Sequence, residues 1–155
     1  MGSRLNTSVL IIGSGITGCV AALTLAEAGL DVLMINSGPA MDSGNTPLAQ
    51  GGIVWKAPED TPQLLEQDML TAGWDINYRP ALHYLSRKGP DLVQEILVDR
   101  LQVPFASSDG EFALTREGGH SLPRILYCGD YTGRAIMDSL QKEVHRQSNI
   151  KVLNN

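Results

Sequence analysis

Val9-Leu10-Ile11-Ile12-Gly13-Ser14-Gly15-Ile16-Thr17-Gly18 is an apolar run that passes directly into a glycine turn, and an Ala- and Leu-rich stretch follows it. Buried strand, tight turn and helix in that order are the setting of a dinucleotide fingerprint. Each glycine has its own task. Gly13 allows the turn, Gly15 lets the backbone approach a pyrophosphate, and Gly18 lets the helix pack closely on the strand. The pyrophosphate would sit on free N–H groups at the positive end of the helix, along Ser14, Gly15, Ile16 and Thr17. The glycines alone say little, since the chain has 16 of them. The flanking strand and helix carry the argument against a plain strand–turn–helix corner.

Outward from this stretch, helix one is expected over about Ile16 to Ala28, with Gly29 as the residue that ends it. Asp31 to Ile35 is a short apolar run fit for a buried parallel strand. The result is a β-α-β unit of a Rossmann-type half. Asn36 to Gly52 reads as one long loop rich in Gly, Pro, Ser and Asn, and loops of that length in compact domains are usually functional. Thr61 with Pro62 opens a helix to about Ala72, stopped by Gly73. Asn77 is expected to cap a helix through about Arg87, broken at Gly89-Pro90. A further helix follows from about Asp91 to Leu101. Phe112 to Leu114 is expected to form a short strand after the Asp109-Gly110 turn. Thr115 to Thr132 reads as mostly irregular. A helix over Gly133 to Arg146 and a strand over Asn149 to Leu153 complete the pattern. The fold class expected is α/β, a Rossmann-like FAD/NAD(P)-binding three-layer domain in incomplete form.

Bulk properties narrow the function. A chain of 155 residues suits one domain with a real core, burying roughly 68–70% of its unfolded surface. A net charge of −5 and a pI near 5.1, with charges scattered, argue against nucleic acid. Aromatic residues at 5% leave little for base stacking. Cys19 and Cys128 are too few for a disulfide framework or a zinc site, and no metal is expected. They read as core thiols of a reduced, cytoplasmic protein. A reactive Cys128 beside Gly129 and Asp130 remains the alternative. The opening Met1-Gly2-Ser3-Arg4-Leu5-Asn6 lacks a signal-peptide core and misses the myristoylation pattern, and no run has the length of a membrane span.

Four segments resemble one family. They are Ile12 to Gly18; Asn45-Thr46-Pro47-Leu48-Ala49-Gln50-Gly51-Gly52; Leu114-Thr115-Arg116-Glu117-Gly118-Gly119-His120-Ser121; and Arg124-Ile125-Leu126 with Asp130-Tyr131-Thr132-Gly133. In order and spacing they resemble the L-aspartate oxidase family, flavoproteins of the succinate dehydrogenase and fumarate reductase superfamily. The resemblance implies FAD as cofactor and oxidation of L-aspartate to iminoaspartate for quinolinate and NAD synthesis. Oxygen or fumarate would be the acceptor and quinolinate synthase a candidate partner. It places Ser14 to Thr17 on the FAD pyrophosphate and Asn45 to Gly52 around the flavin side, with Asp130 also on the cofactor. Gly51-Gly52 suits close approach to a flat ring; the other reading of this pair is a turn into a strand Ile53-Val54-Trp55. Glu117 would orient the substrate by pairing with its ammonium group, which succinate lacks. Arg116, His120 and Arg124 on the same loop suit carboxylates.

Two departures stand out. The fingerprint expects Asp or Glu about 20 residues beyond the first glycine, where this chain has Asn36 followed by Ser37. The family resembles it in lacking that acid. A neutral in place of a charged hydrogen bond costs on the order of 1 kcal/mol, so weak FAD binding is expected. Family members are also several times longer. Their capping domain, their helical C-terminal domain and their α-proton base resemble sequence with no match here. Other readings are an inactive dinucleotide-binding module, another fumarate reductase-type flavoprotein and a nicotinamide-dependent dehydrogenase. Asn36 and Ala49-Gln50-Gly51-Gly52 fit the last poorly.

Overall fold

β1 (Val9–Ile12), β2 (Val32–Asn36) and β7 (Ile150–Asn154) form a parallel sheet in the order β1-β2-β7. The computed structural model describes residues 4–155, so Met1-Gly2-Ser3 of the opening segment lies outside the described residues. In register, Val9, Val32 and Ile150 share one face with Ile11, Met34 and Val152. Helix α1 (Ile16–Glu27) packs against all three strands. Its buried stripe is Cys19, Ala22, Leu23 and Ala26, the spacing of one helical face. The opposite sheet face carries Leu10, Ile12 and Leu153, which are 52%, 80% and 45% exposed. β1 is therefore not buried on both faces as expected, because the described helix over the sheet packs on the other side.

The chain forms two compact units: residues up to Ala49 with Gly133–Asn155, and Gln50–Thr132. The physical reason lies in the connection from β2 to β7, which carries enough elements to build its own core. In the first unit, α4 (Thr132–Arg146) buries Ile136, Met137, Leu140 and Val144. Within the long loop after β2, Thr46–Leu48 winds into a single 3-10 turn.

In the second unit, β3 (Ile53–Val54) pairs antiparallel with β6 (Ile125–Leu126). The strand reading of Ile53-Val54 holds. The irregular reading of Thr115 to Thr132 missed β6, which is too short to show alternation. α2 (Pro62–Ala72) begins at the Thr61 cap, whose hydroxyl accepts from Leu64 N at 3.1 Å. β4 (Ser107–Ser108) and β5 (Glu111–Phe112) flank Asp109-Gly110, both at positive φ as a tight hairpin turn demands.

Two expectations fail around α3 (Arg79–Leu92). Its N-cap residue is Tyr78, while the Asn77 amide donates to Met69 O at 3.3 Å and closes α2 instead. Gly89-Pro90 does not break the helix; it continues through π-type turns over Val93–Arg100. Leu82 and Ser86 before the proline and Val93 and Leu97 after it are all buried. Their combined burial outweighs the ~3 kcal/mol cost of an internal proline.

Gly18 has the packing role its place in the turn implies: a Cβ there would lie 2.1 Å from Gly13 O. Gly18→Ala is expected to cost roughly 1–3 kcal/mol by overpacking. The urea midpoint measures it, and an unchanged midpoint would mean the helix can move off the strand freely.

Candidate functional site

The glycine turn is built as the fingerprint requires. Gly13 has φ +106°, and its N–H donates to Ile35 O at 2.9 Å. Buried Ser14 donates its hydroxyl to Met41 O at 2.7 Å, which ties the turn to the loop after β2. Gly15 is the N-cap residue of α1 and has no side chain to cap with, and the first turn holds no acidic residue. Helix N–H groups without a partner attract anions. Ile11, Gly13, Gly15, Thr17 and Thr46 border a cleft of about 390 Å³ here. One N–H is already used, since Ile16 N donates to Thr46 Oγ1 at 3.2 Å.

Asn45 to Ala49 belongs to this first unit, and Gln50 to Gly52 to the second. Pro47 is buried, and Leu48 is 72% exposed. Gly133, the last residue of the fourth quoted segment but given no role there, fixes the segment. Its N–H donates to Ala49 O at 2.9 Å, and a Cβ would fall 1.9 Å from Thr46 O. The neighbouring Arg134 pairs with Asp42. Asn36, expected at a ribose, spends its amide N–H groups on Gly38 O and Ala40 O, and adjacent Ser37 is exposed.

In the second unit, Gln50, Gly51, Glu117 and Asp130 line one cleft of about 420 Å³, with Thr115, Tyr127 and Gly129. Three segments far apart in sequence thus meet. No Lys, Arg or His is among the lining residues, which favours a cationic group near the two carboxylates. The Glu117 oxygens lie 3.7 and 3.9 Å from where a Gly51 Cβ would stand. Gly52 answers to a different constraint: its Cβ would lie 2.1 Å from Ile125 Cγ2 and 2.3 Å from Leu126 O. Its missing side chain lets β3 and β6 pair. Tyr127 lay outside the quoted segments, and Thr115 lay inside one with no role given; its bridge to Ile125 is a pairing too short to show in the sequence.

Arg116 is exposed and does not line the cleft. Arg124 is fully buried, and its role is a correction to the expected carboxylate-binding one. Its Nε lies 2.8 Å from Asp60 Oδ2, Nη2 donates to Asp60 Oδ1 at 3.0 Å, and Nη1 donates to Asp68 Oδ2 at 2.6 Å. A guanidinium so occupied has no fork left for a ligand. His120 Nδ1 lies 3.3 Å from Arg124 Nη1 and accepts from it, so His120 faces this network. Burial pushes the Asp68 carboxyl up, but hydrogen bonds from Ser121 N–H, the Ser121 hydroxyl and Arg124, with that cation's charge, outweigh it and hold it below the ordinary carboxylate range. The cysteines are core thiols: Cys19 donates to Ser14 O and Cys128 to Pro104 O, each at 3.2 Å. Burial pushes Cys19 up to about 11 and raises Cys128, so neither is an activated nucleophile. Among the described residues, no group of three or more His, Cys, Asp or Glu could hold a metal, and no helix is long and apolar enough to cross a membrane.

Comparison with known proteins agrees with these features. Residues 8–155 match the family model described as FAD binding domain. The L-aspartate oxidase of Halobacterium salinarum is 36% identical over 147 residues, covering 95% of this chain and 28% of that protein. That of Vibrio cholerae is 39% identical over 152 residues, covering 94% and 28%. The chain thus spans under a third of the length of these relatives. Among solved structures, the open conformation of a flavocytochrome c3 fumarate reductase superposes with a TM-score of 0.81 at 25% identity, covering 96% of this chain and 26% of that one. Mycobacterium smegmatis Sdh1 in complex with UQ1 superposes at 0.87 with 24% identity, covering 97% and 28%, and supports the fold.

Arg124→Met is expected to cost roughly 3 kcal/mol near neutral pH, since it strands two carboxylates in the protein. Asp68 has a lowered folded pKa, so its contribution is present above its unfolded value of about 3.9 and lost as pH falls through the folded value. The stability gap between wild type and variant should therefore narrow in acid. Urea unfolding from pH 7 to pH 3 measures it; a constant gap would mean the Asp68 charge contributes nothing.

Proposed function

This chain belongs to the FAD-binding domain family of the succinate dehydrogenase and fumarate reductase flavoproteins, and from that membership we propose that it is the N-terminal, FAD-binding part of an L-aspartate oxidase. FAD is its cofactor. What supports the finer reading is the meeting of Gln50, Gly51, Glu117 and Asp130 in one cleft whose lining has no basic side chain. Succinate brings only negative charge to such a cleft, whereas aspartate brings an ammonium as well. In this reading Glu117 pairs with that ammonium and orients the substrate.

The residues around the glycine turn fit the pyrophosphate of FAD. The helix end is free of acidic residues, Thr46 takes one of its N–H groups, and Gly15 presents no side chain to the cleft. Ser14 to Thr17 would hold the pyrophosphate. Thr46 keeps the turn in place through Ile16 N, and Asn45 to Gly52 would lie along the flavin side. Asn36 and Ser37 would face the ribose, with the Asn36 side-chain carbonyl oxygen as the group left to it, and Asp130 would be a further cofactor contact. FAD bound here would supply the hydride acceptor for the substrate, with oxygen or fumarate as the final electron acceptor. The chain's own residues bind the cofactor, orient the ammonium through Glu117 and form one wall of the substrate site. Arg116 and His120 would make weaker substrate contacts. A clamp for both substrate carboxylates and a base for the α-proton belong to the rest of the enzyme, so these 155 residues alone are expected not to turn over. The setting is NAD synthesis through quinolinate in the cytoplasm, with quinolinate synthase as a candidate partner and neither nucleic acid nor membrane involved.

Gly15→Val is expected to abolish FAD binding while leaving the fold mostly intact, because a branched side chain takes the pyrophosphate's place. Fluorescence titration with FAD measures this, and equal affinities would remove the assignment of the turn.

Glu117→Gln keeps shape and removes charge. On full-length protein, aspartate kcat/KM is expected to fall roughly 10- to 100-fold, at about 1.4 kcal/mol per tenfold. Fumarate, which has no ammonium, should be reduced as before or faster. A parallel fall for both substrates would deny Glu117 its selecting role.

A further inference from the structure

No hydrogen bond or ion pair holds the Glu117 carboxylate among the described residues, and two glycines follow it in the chain. Something else must keep it in the cleft. We propose that Asp68 of α2 is a positioning residue for Glu117, anchoring the loop that carries it; the proposal rests on the reading of Glu117 as the ammonium partner.

A single oxygen, Asp68 Oδ2, receives three donors: Ser121 N–H at 2.8 Å, the Ser121 hydroxyl at 2.9 Å and Arg124 Nη1 at 2.6 Å. Charge-assisted bonds of this length are strong and directional. Arg124 is in turn fixed on its other side by Asp60. The anchor reaches Glu117 in one more step. His120 N–H donates to Glu117 O at 3.2 Å and closes the turn over Gly118-Gly119. Gly119, at φ +86°, lies against α2 as well, its Cβ position 3.4 Å from Ala72 Cβ. α2 is therefore the platform of the loop, and Asp68 is its one charged tie. Each loop residue left unfixed would carry its conformational entropy into substrate binding, weakening the grip on the ammonium.

Asp68→Asn and Ser121→Ala both loosen the tie while Arg124 keeps Asp60. Two measurements test the proposal. In the first, trypsin is applied to the 155-residue chain. The Arg116–Glu117 bond of the loop is expected to be cut roughly tenfold faster in either variant, because cleavage tracks the open population of a segment. In the second, full-length protein carrying Asp68→Asn is assayed. Aspartate kcat/KM is expected to fall roughly tenfold, mostly through KM, with FAD content and fumarate reduction kept. On a Glu117→Gln background the same change should cost aspartate nothing further, since a residue that acts only through another is not additive with it.

If Glu117→Gln lowers aspartate turnover but Asp68→Asn has no effect, or adds its full effect to Glu117→Gln, the positioning role is overturned and the reading of Glu117 stands. If Glu117→Gln leaves aspartate unaffected, the reading of Glu117 falls and the proposal with it. Asp68→Asn that loses FAD and fumarate reduction along with aspartate marks a purely architectural residue and also overturns it. Should Asp68→Asn fail to fold, Ser121→Ala decides by the same criteria.

Discussion

A guanidinium with no access to water must be neutralised where it stands. Arg124 meets that requirement with two carboxylates, Asp60 ahead of α2 and Asp68 within it. Desolvating three charges is expensive, and the arrangement is sustained only because nearly every donor finds an acceptor. The geometry that results is demanding. It fixes the entry to α2, the middle of α2 and the strand β6 relative to one another. Through Ser121 it also fixes the loop before β6. A hydrophobic cluster would tolerate small slips among these pieces, but a directional ionic network does not. The second unit is thereby given a rigid frame on the side where its exposed loop carries Glu117.

The glycine turn illustrates the other kind of constraint, steric rather than electrostatic. The helix can lie on its strand because Gly18 has no side chain to meet Gly13 O, and the loop after β2 can reach α4 because Gly133 has none to meet Thr46 O. The first of these is written into a familiar pattern and was legible from spacing. The second is not, since nothing in Thr132-Gly133-Arg134 announces a partner so far back in the chain.

That contrast describes what could be read from the residues. Strands Val9–Ile12 and Val32–Asn36, the helix between them, the capped helix Pro62–Ala72 and the Asp109-Gly110 hairpin follow from local rules: apolar runs, a Thr-Pro start and a tight turn. The continuation of α3 past Pro90 did not, because burial of Val93 and Leu97 is a tertiary fact that overrides a local penalty. Asn77 misled for the same reason: an amide that could cap forward bonds backward. In the candidate site, the motifs named Gln50, Gly51, Glu117 and Asp130 but not their meeting place. Arg124 looked like a ligand for carboxylates and is one, but the carboxylates are the protein's own. Charge type is visible in a sequence, whereas the identity of the counter-charge depends on the fold.

The discontinuous make-up of the first unit bears on how the molecule comes off the ribosome. β2 waits for its neighbour β7 until residues 150–154 are made, although β1 and α1 precede β2 in the chain. Residues 50–132, by contrast, are contiguous and can close on themselves as they emerge. Pairing β2 with β7 closes a chain loop of more than a hundred residues, the sort of long-range step that slows folding. Until then the apolar edge of β2 is an open template, most vulnerable to chaperone capture or to misassociation with a second nascent copy. The second unit should thus act as an early-folded spacer, and the nucleotide-type sheet as the product of a late, translation-gated event.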